Sequence, residues 1–579
     1  MNDPAMNKSY TLQASLYFFS IACLLQFILF LPLYLSRMDE GSFWPILNNF
    51  PIDIIARSNP DPFRWSLELA AMLSLWIIMP VRKWGLKPGP ILAMAYTILF
   101  IFQCYYYFVW KIYGEIPTWS YDLALLKRVF PVFMKTMGLP PLLIFAGAIF
   151  LVIVLFILFK KIFAFLSIQV DKISRPHAVT LSLILFLIPF ALKKSGESHP
   201  DSVDHKKAMF WIFENIHTTF TLSRVKSLPN LNTPILYDVY PNLKLKSKPN
   251  IYLIFIEAYG SIAGTVSPYD IPYAYQLKAM EDTLSSNAWH MATALSNSTI
   301  LGGRSWLGFT TLLSGIRIDN HPAYEDMISH HVGYPHLINT LNAQGYHTYR
   351  LNTMANPGQS FSNLDSIAGL YFNVGHWTRY HDIPYRGYRY DYMGGIPDQY
   401  ALNFWHDQVL NKSTSPNFLF FITLNTHAPF YLPPPITQNW KDLDAILTSP
   451  NGGTRLETGP PIKRYSKEVS YILNVLKKFI LENGNANSLF ILMGDHQPAG
   501  MEYMLHGKTD TYATPIHLIS KDRNWIDLFR EHGFTEGMVP DFKPHSPLKH
   551  EGFYSLFMNI WAQKDSLSSI PAYLPDGIR

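Results

Sequence analysis

Long apolar runs fill the first part of the chain, and short ones, spaced by amphipathic stretches, fill the remainder. Five long runs stand out, at about residues 15–35, 65–81, 90–110, 139–159 and 178–192. A helix that crosses a bilayer needs about 20 apolar residues, with about 17 tolerable. The first, third and fourth runs satisfy this; the second carries Glu68 and the fifth is short. The first run exceeds a signal-peptide core and has no small-residue cleavage pattern, so it reads as a retained anchor. These runs predict a polytopic α-helical membrane domain over residues 1–195 with about five spans. A charged, proline-containing stretch, 196–248, reads as a linker that packs against the C-terminal domain.

From residue 249 to 579 the pattern is that of an α/β domain. "IYLIFIE", "HTYRLN", "NFLFFITLN", "SLFILMGD" and "TPIHLIS" read as strands. "YPHLINTLNAQGY" and "RYSKEVSYILNVLKKFILENG" have helical spacing and end at glycine. Short buried strands alternating with helices predict a mostly parallel central sheet covered on both faces, with the ligand site beyond the carboxyl ends of the strands. Lysine and arginine set the orientation. Arg82, Lys83 and Lys87 follow the second run, and Lys160, Lys161, Lys172 and Arg175 follow the fourth, which puts both connections in the cytoplasm. Five spans then place the C-terminal domain outside it, whereas four spans would place it inside. The third connection is also basic, at Lys111, Lys127, Arg128 and Lys135, and its amphipathic pattern suits a helix lying in the outer interface.

Composition narrows the function classes. The net charge of +5 on 579 residues, without a basic arm or zinc-finger spacing, argues against a nucleic-acid partner. The two cysteines, Cys23 and Cys104, lie in apolar runs, so the α/β part has neither a disulfide nor a cysteine nucleophile. All 20 histidines follow residue 176.

Three predicted strands end in groups able to bind a metal: Glu257, His427, and Asp495 with His496. Two carboxylates and an imidazole suit Zn²⁺ or Mn²⁺ better than Ca²⁺. A lone aspartate at a strand end often only caps the next helix, but three such ends together point to a shared site. "STILGGRSWLGFTTLLSG" supplies a nucleophile candidate, since Gly302 and Gly303 permit a tight turn and Ser305 opens a predicted helix. Serine there is ordinarily a helix cap. A helix N-terminus beside a bound cation also stabilises a phosphate and makes a serine hydroxyl acidic enough to attack.

On these residues the chain resembles the alkaline phosphatase/sulfatase superfamily. Sulfatases read Cys-x-Pro-x-Arg with the glycine of Leu-Thr-Gly ten residues after the cysteine; here Ser305 is followed ten residues later by Gly315 in "LLSG". Serine in place of cysteine, and Phe309 at the arginine place, argue against a formylglycine sulfatase and for a serine nucleophile acting on phosphorus. The layout is similar to the membrane-anchored phospholipid-headgroup transferases, lipoteichoic acid synthases and phosphoethanolamine transferases. The resemblance implies that Glu257, Ser305, Asp495 and His496 hold one divalent metal. It implies that His427, in "THAPF", touches the phosphate, and that His506, in "LHG", lies near the leaving group or a second metal. It implies a phospholipid donor, an envelope glycan acceptor, and a bacterial inner-membrane protein with its catalytic domain in the periplasm or extracytoplasmic space. Two departures leave the head group, phosphoglycerol or phosphoethanolamine, open: the domain lacks the disulfides of the phosphoethanolamine enzymes, and "NPGQSFSNLDSIAGLYF" lacks the Trp-Asn-Arg of the lipoteichoic acid synthases. A phosphodiesterase or phosphatase using water, a sulfatase-like hydrolase, and a non-catalytic envelope scaffold are the alternatives.

Other residues carry two readings each. Arg304 suits a phosphate or a surface ion pair. Trp306 suits a pocket wall or a buried aromatic. Lys508 suits charge neutralisation or plain solvation. The Tyr, Arg and Trp of 376–395 suit sugar stacking or an ordered aromatic loop. His330, His331 and His336 read as surface or capping residues.

Overall fold

The computed structural model describes residues 4–36, 66–79, 88–113, 141–191, 239–330, 336–355, 367–390, 394–410, 416–448, 459–505, 511–542 and 547–578, with most of 117–122 and 212–217 and Tyr334 besides. The chain divides into two compact units: residues 1–111, 116–122 and 133–224 form one, and 112–115, 123–132 and 225–579 the other.

The first unit is helical: α1 (Pro4–Ser36), α2 (Leu67–Ile78), α3 (Pro88–Tyr113), α4 (Pro141–Val170) and α5 (Arg175–Ala191). Each expected apolar run is therefore a helix. Among the described residues three helical stretches, Tyr10–Pro32, Pro88–Val109 and Ala146–Val170, are long and apolar enough to cross a membrane, while Glu68–Ile78 and Arg175–Leu187 are shorter. The fourth helix runs on through Lys160 and Lys161, residues expected in a connection, because the apolar pattern resumes at Ile162 and nothing breaks the helix before Val170. α2 begins where polar groups can meet its free amides. The Ser66 hydroxyl accepts from Leu69 N at 3.1 Å. The Gln26 side chain of α1 accepts from Ser66 N at 2.8 Å and donates to its carbonyl at 3.0 Å. The buried polar atoms at this helix start are thereby paired, as an apolar surrounding demands.

In the second unit the strands are β1 (Asn250–Ile256), β2 (His290–Asn297), β3 (His347–Leu351), β4 (His376–Thr378), β5 (Asn417–Ile422), β6 (Ser488–Gly494), β7 (Ala513–Ser520), β8 (Thr535–Glu536) and β9 (Leu548–Lys549). The helices are α6 (Asp270–Ser285), α7 (Ser305–Ser314), α8 (His321–Ser329), α9 (Leu337–Ala343), α10 (Asp398–Gln408), α11 (Pro461–Asn483), α12 (Arg523–Arg530) and α13 (His550–Lys564). The sheet order is β4-β3-β5-β1-β6-β7-β2-β8, with β9 beside β2. From β4 to β6 the strands are parallel; β7 is antiparallel to β6 and β2, β2 is antiparallel to β8, and β9 runs parallel to β2. β1 and β6 are buried almost throughout, as strands covered on both faces must be. One apolar core lies between the sheet and α7, α9, α12 and α13. A second lies on the other face, under α6, α10 and α11. α11 shows the rule behind this: Tyr465, Val469, Ile472, Leu476, Phe479 and Ile480 recur at helical spacing and are all buried, so one stripe faces the sheet. The segment before β1 packs on this unit, since Asp565 accepts from Lys246 N at 2.6 Å and from the Ser247 hydroxyl at 2.5 Å.

The parallel register sets the site. Ile256 pairs with Gly494 and Phe255 with Ile422, so β1, β6 and β5 stop at nearly the same level. Glu257, Asp495 and the segment leading to His427 all leave the sheet at that edge.

Candidate metal and nucleophile site

Glu257, Asp495 and His496 converge, with one ligand atom of each lying within 4.8 Å of the others, and all three side chains are buried. Beyond Ile256 the ladder is replaced by a side chain, as Glu257 N donates to the Thr423 hydroxyl at 3.0 Å. One carboxylate oxygen of Asp495, Oδ1, accepts from Ala258 N at 2.8 Å and from His496 N at 2.9 Å. The other, Oδ2, is buried and meets no donor among the described residues. The Nδ1 of His496 is 2.7 Å from the Gln497 carbonyl, a bond that needs the proton on Nδ1 and leaves Nε2 facing the carboxylates. Nε2 is 3.4 Å from Glu257 Oε1 and 3.5 Å from Asp495 Oδ2.

Ser305 occupies the first position of α7, not the cap; Arg304 precedes it in the left-handed conformation, φ 58°. The serine hydroxyl donates to Glu257 Oε2 at 2.9 Å and lies 3.0 Å from His496 Nε2. Three non-glycine residues with positive φ flank the site: Ala258 at 54°, Arg304 at 58° and Phe430 at 62°. Each costs on the order of 1 kcal/mol. The folded protein holds that strain where the chain turns to present Glu257, Ser305 and His427.

The electrostatics favour a cation. Two buried carboxylates side by side are expensive unless balanced. Burial, then the adjacent Glu257 charge, push Asp495 up to about 7. Burial opposes the charge of His496, but Asp495 and Glu257 outweigh it and raise the imidazole to about 9. Burial likewise opposes the Glu257 charge, yet His496 and His427 bring it down to about 2. A divalent ion held by Glu257, Asp495 and His496 would balance these charges. The donor set therefore fits a metal.

His427 sits beyond β5, partly buried and close enough for its charge to act on Glu257; its Nδ1 is 2.6 Å from the Ala428 carbonyl. Arg304 is buried. Trp306 is half-buried, and its indole donates to His321 Nδ1 at 3.2 Å. In the aromatic loop Tyr385 and Tyr390 are buried, and Trp377 lies under the guanidinium groups of Arg350 and Arg379, at 4.2 and 4.4 Å. His336 is buried, not on the surface, because it starts α9 against the Tyr371 carbonyl, 2.7 Å away. His330 is exposed beside Asp326. His506, Lys508 and His331 fall outside the described residues.

Several residues of the site have no signature in the sequence. Ser298 donates to the Asp495 carbonyl at 2.5 Å. The Tyr465 hydroxyl donates to the Ala258 carbonyl at 2.9 Å and accepts from Gly260 N at 3.1 Å. Gln497 reaches Ser261 and the Ala513 carbonyl at 3.0 and 2.6 Å. Nothing in the residues around each marks it out, and only the tertiary fold brings its bonding group near.

Comparison with known proteins adds the family. The sulfatase family model matches residues 249–536. Among solved structures, the integral membrane lipooligosaccharide phosphoethanolamine transferase A of Neisseria meningitidis is 14% identical, with 92% of this chain and 95% of that one covered and a TM-score of 0.40. The lipoteichoic acid synthase LtaP of Listeria monocytogenes is 14% identical over 59% of this chain and 80% of that one, with a TM-score of 0.37. The phosphoglycerol transferase GacH of Streptococcus pyogenes, in complex with sn-glycerol-1-phosphate, is 12% identical over 56% and 78%, with a TM-score of 0.33. Comparison with curated proteins gave no match. Likeness at this level does not transfer a substrate. The family match gives one statement: the α/β domain of this chain is a sulfatase-family domain over residues 249–536.

Proposed function

We propose that the protein is a membrane-anchored phosphotransferase that moves a phospholipid head group, phosphoglycerol or phosphoethanolamine, onto an envelope glycan through Ser305. The observation that carries this reading is the placement of the Ser305 hydroxyl, at the N-terminus of α7 and within hydrogen-bond reach of both Glu257 and His496. Glu257, Asp495, His496 and Ser305 would hold one divalent ion, Mn²⁺ or Zn²⁺, which when bound supplies Lewis acidity and charge balance.

The chain's own groups do the rest. The first turn of α7 directs its free amides at the phosphate. Ser305 Oγ attacks phosphorus, the bond to the diacylglycerol oxygen breaks, and the head group stays on Ser305 as a phosphodiester. The serine proton ends on the departing diacylglycerol. An acceptor hydroxyl then attacks phosphorus and its proton returns to Ser305. His427 holds a non-bridging oxygen, and Arg304 and His506 serve the phosphate and leaving group. The three long apolar helices favour this reading over a freely soluble phosphatase, because the donor lies in the bilayer and tethering raises its local concentration. The basic second connection, with Lys172 and Arg175 after the fourth helix, favours an extracytoplasmic catalytic domain on the bacterial inner membrane, with residues 1–195 as membrane domain, 196–248 as linker and 249–579 as catalytic domain.

The test uses full-length protein in vesicles of labelled phosphatidylglycerol and phosphatidylethanolamine. A mass increment on Ser305 names the head group, and label should pass to an envelope-glycan extract. Rapid release of free head group without acceptor would instead make the protein a hydrolase.

A further inference from the structure

His427 differs from the other site residues in how it is held. Glu257 and Asp495 lie one residue past β1 and β6, but His427 lies five residues along the segment that follows Ile422, the end of β5. What fixes that segment is a different element. Asp398, the first residue of α10, is fully buried. Its carboxylate accepts from Leu424 N at 2.9 and 3.1 Å and from Asn425 N at 2.9 Å. Asp398 N in turn donates to Asn425 Oδ1 at 3.0 Å. The next residue, Gln399, is also buried. It grips the far end of the same segment, where its amide donates to the Thr437 carbonyl at 2.8 Å and its Oε1 accepts from Thr437 N at 3.1 Å. Between these two grips, His427 N bonds the Leu424 carbonyl at 3.0 Å and Phe430 N bonds the His427 carbonyl at 3.2 Å. The Phe430 ring packs edge-on against Tyr465 at 5.4 Å.

We infer that Asp398 and Gln399 are positioning residues for His427: two consecutive side chains of one helix start hold both ends of the segment that presents it. The carboxylate is the stronger grip, since bonds from backbone amides to an ionised oxygen are roughly twice as strong as neutral ones. Asp398→Asn would set an amide NH₂ against backbone donors and loosen the near end. Gln399→Leu would release the far end. These side-chain bonds end on the backbone of Leu424, Asn425 and Thr437, so the proposed metal ligands should be unaffected. This inference rests on the proposed role of His427 at the phosphate.

The test is a double-mutant cycle on full-length protein in detergent–lipid micelles, with bis-p-nitrophenyl phosphate as substrate and elemental analysis of bound metal. Asp398→Asn should keep the wild-type metal content while kcat/KM falls by about 10- to 100-fold, the scale of a misplaced catalytic group. Combined with His427→Ala, the same substitution should cost less than about threefold more, because residues acting through one another are not additive. Equal losses in both backgrounds, or metal lost in step with activity, would overturn the inference and leave Asp398 as a general staple of the fold. Where Asp398→Asn does not fold, Gln399→Leu is measured in the same cycle. Wild-type activity in Ser305→Ala would instead sink the proposed function, an outcome separate from the cycle.

Discussion

Gly494 is the last residue of β6 and immediately precedes Asp495. A Cβ built there would lie 1.8 Å from the backbone oxygen of Tyr259 and 2.8 Å from its carbonyl carbon, and Cβ contacts under 3.0 Å essentially never occur. Gly494→Ala must therefore move two backbone segments apart by at least 1.2 Å, the difference between 3.0 and 1.8 Å. These are the two segments that carry Glu257 and Asp495. Metal–ligand distances tolerate only about 0.2 Å, so the wedge exceeds that tolerance several-fold although no ligand is removed. Overpacking of this kind costs about 1–3 kcal/mol, and metal affinity should fall by about 100-fold or more. Gly308→Ala is the graded comparison, because its Cβ would lie 3.1 Å from the Asp495 carbonyl and needs only a few tenths of an ångström. There the added helix propensity, about 1 kcal/mol, offsets much of the strain, and metal affinity should change by less than about tenfold. Chelator-competition titration of Mn²⁺ and Zn²⁺, with thermal melts of both variants, gives the comparison. Folded Gly494→Ala with wild-type affinity, or Gly308→Ala as damaging as Gly494→Ala, would refute the link between this packing and the metal site.

Ser305→Ala should retain bound metal by elemental analysis yet lose about 10⁴-fold or more of phosphodiester turnover, whereas Glu257→Ala or Asp495→Ala should lose the metal itself; full occupancy in Glu257→Ala would remove it from the ligand set. His517 is buried between Thr293 Oγ1 and the Tyr259 hydroxyl, at 2.8 and 3.0 Å, and burial depresses it to about 3. The unfolded chain binds this proton below about 6.5 and the folded chain does not, so stability falls as pH drops from there. Between pH 7.5 and 5 the stability deficit of His517→Gln relative to wild type should shrink by about 2 kcal/mol in urea unfolding followed by tryptophan fluorescence; a constant deficit would mean that His517 is protonated in the fold. A reporter fused after Arg579 should be active only when it requires export, and a working cytoplasmic reporter would remove the orientation on which the lipid-donor reading depends.

The residues legible in the sequence share one physical property: a charge where burial should continue. Glu257, Asp495 and His496 end strands whose preceding residues are almost uniformly buried, and the parallel register then brings them to one edge. Ser305 is legible because the glycine pair and the helical run after it mark a helix start. β2 is not, since "HMATALSN" is rich in small and hydroxyl residues and lacks the β-branched pattern of a buried strand; it belongs to the antiparallel flank against β7. α13 is hidden because it is buried nearly all round from His550 to Ala562, so no polar face marks its period. Asp398, Thr423, Tyr465 and Ser298 act through contacts made only in the tertiary fold, and a single polar residue carries no such address.

The order in which the ligands leave the ribosome also matters. Ala258 N bonds Asp495 Oδ1 across 237 residues of chain, and β1 and β6 are nevertheless neighbours in the sheet. Glu257 is made early and its partners late, so a nascent chain carries Ser305, the proposed nucleophile, for nearly 200 residues before the proposed ligand set is complete; Asp495 and His496 follow it at a separation of 191 for the histidine. On the proposed reading, metal capture is a late event in biosynthesis. A chain truncated anywhere before β6 would present a reactive-looking serine and no means to use it.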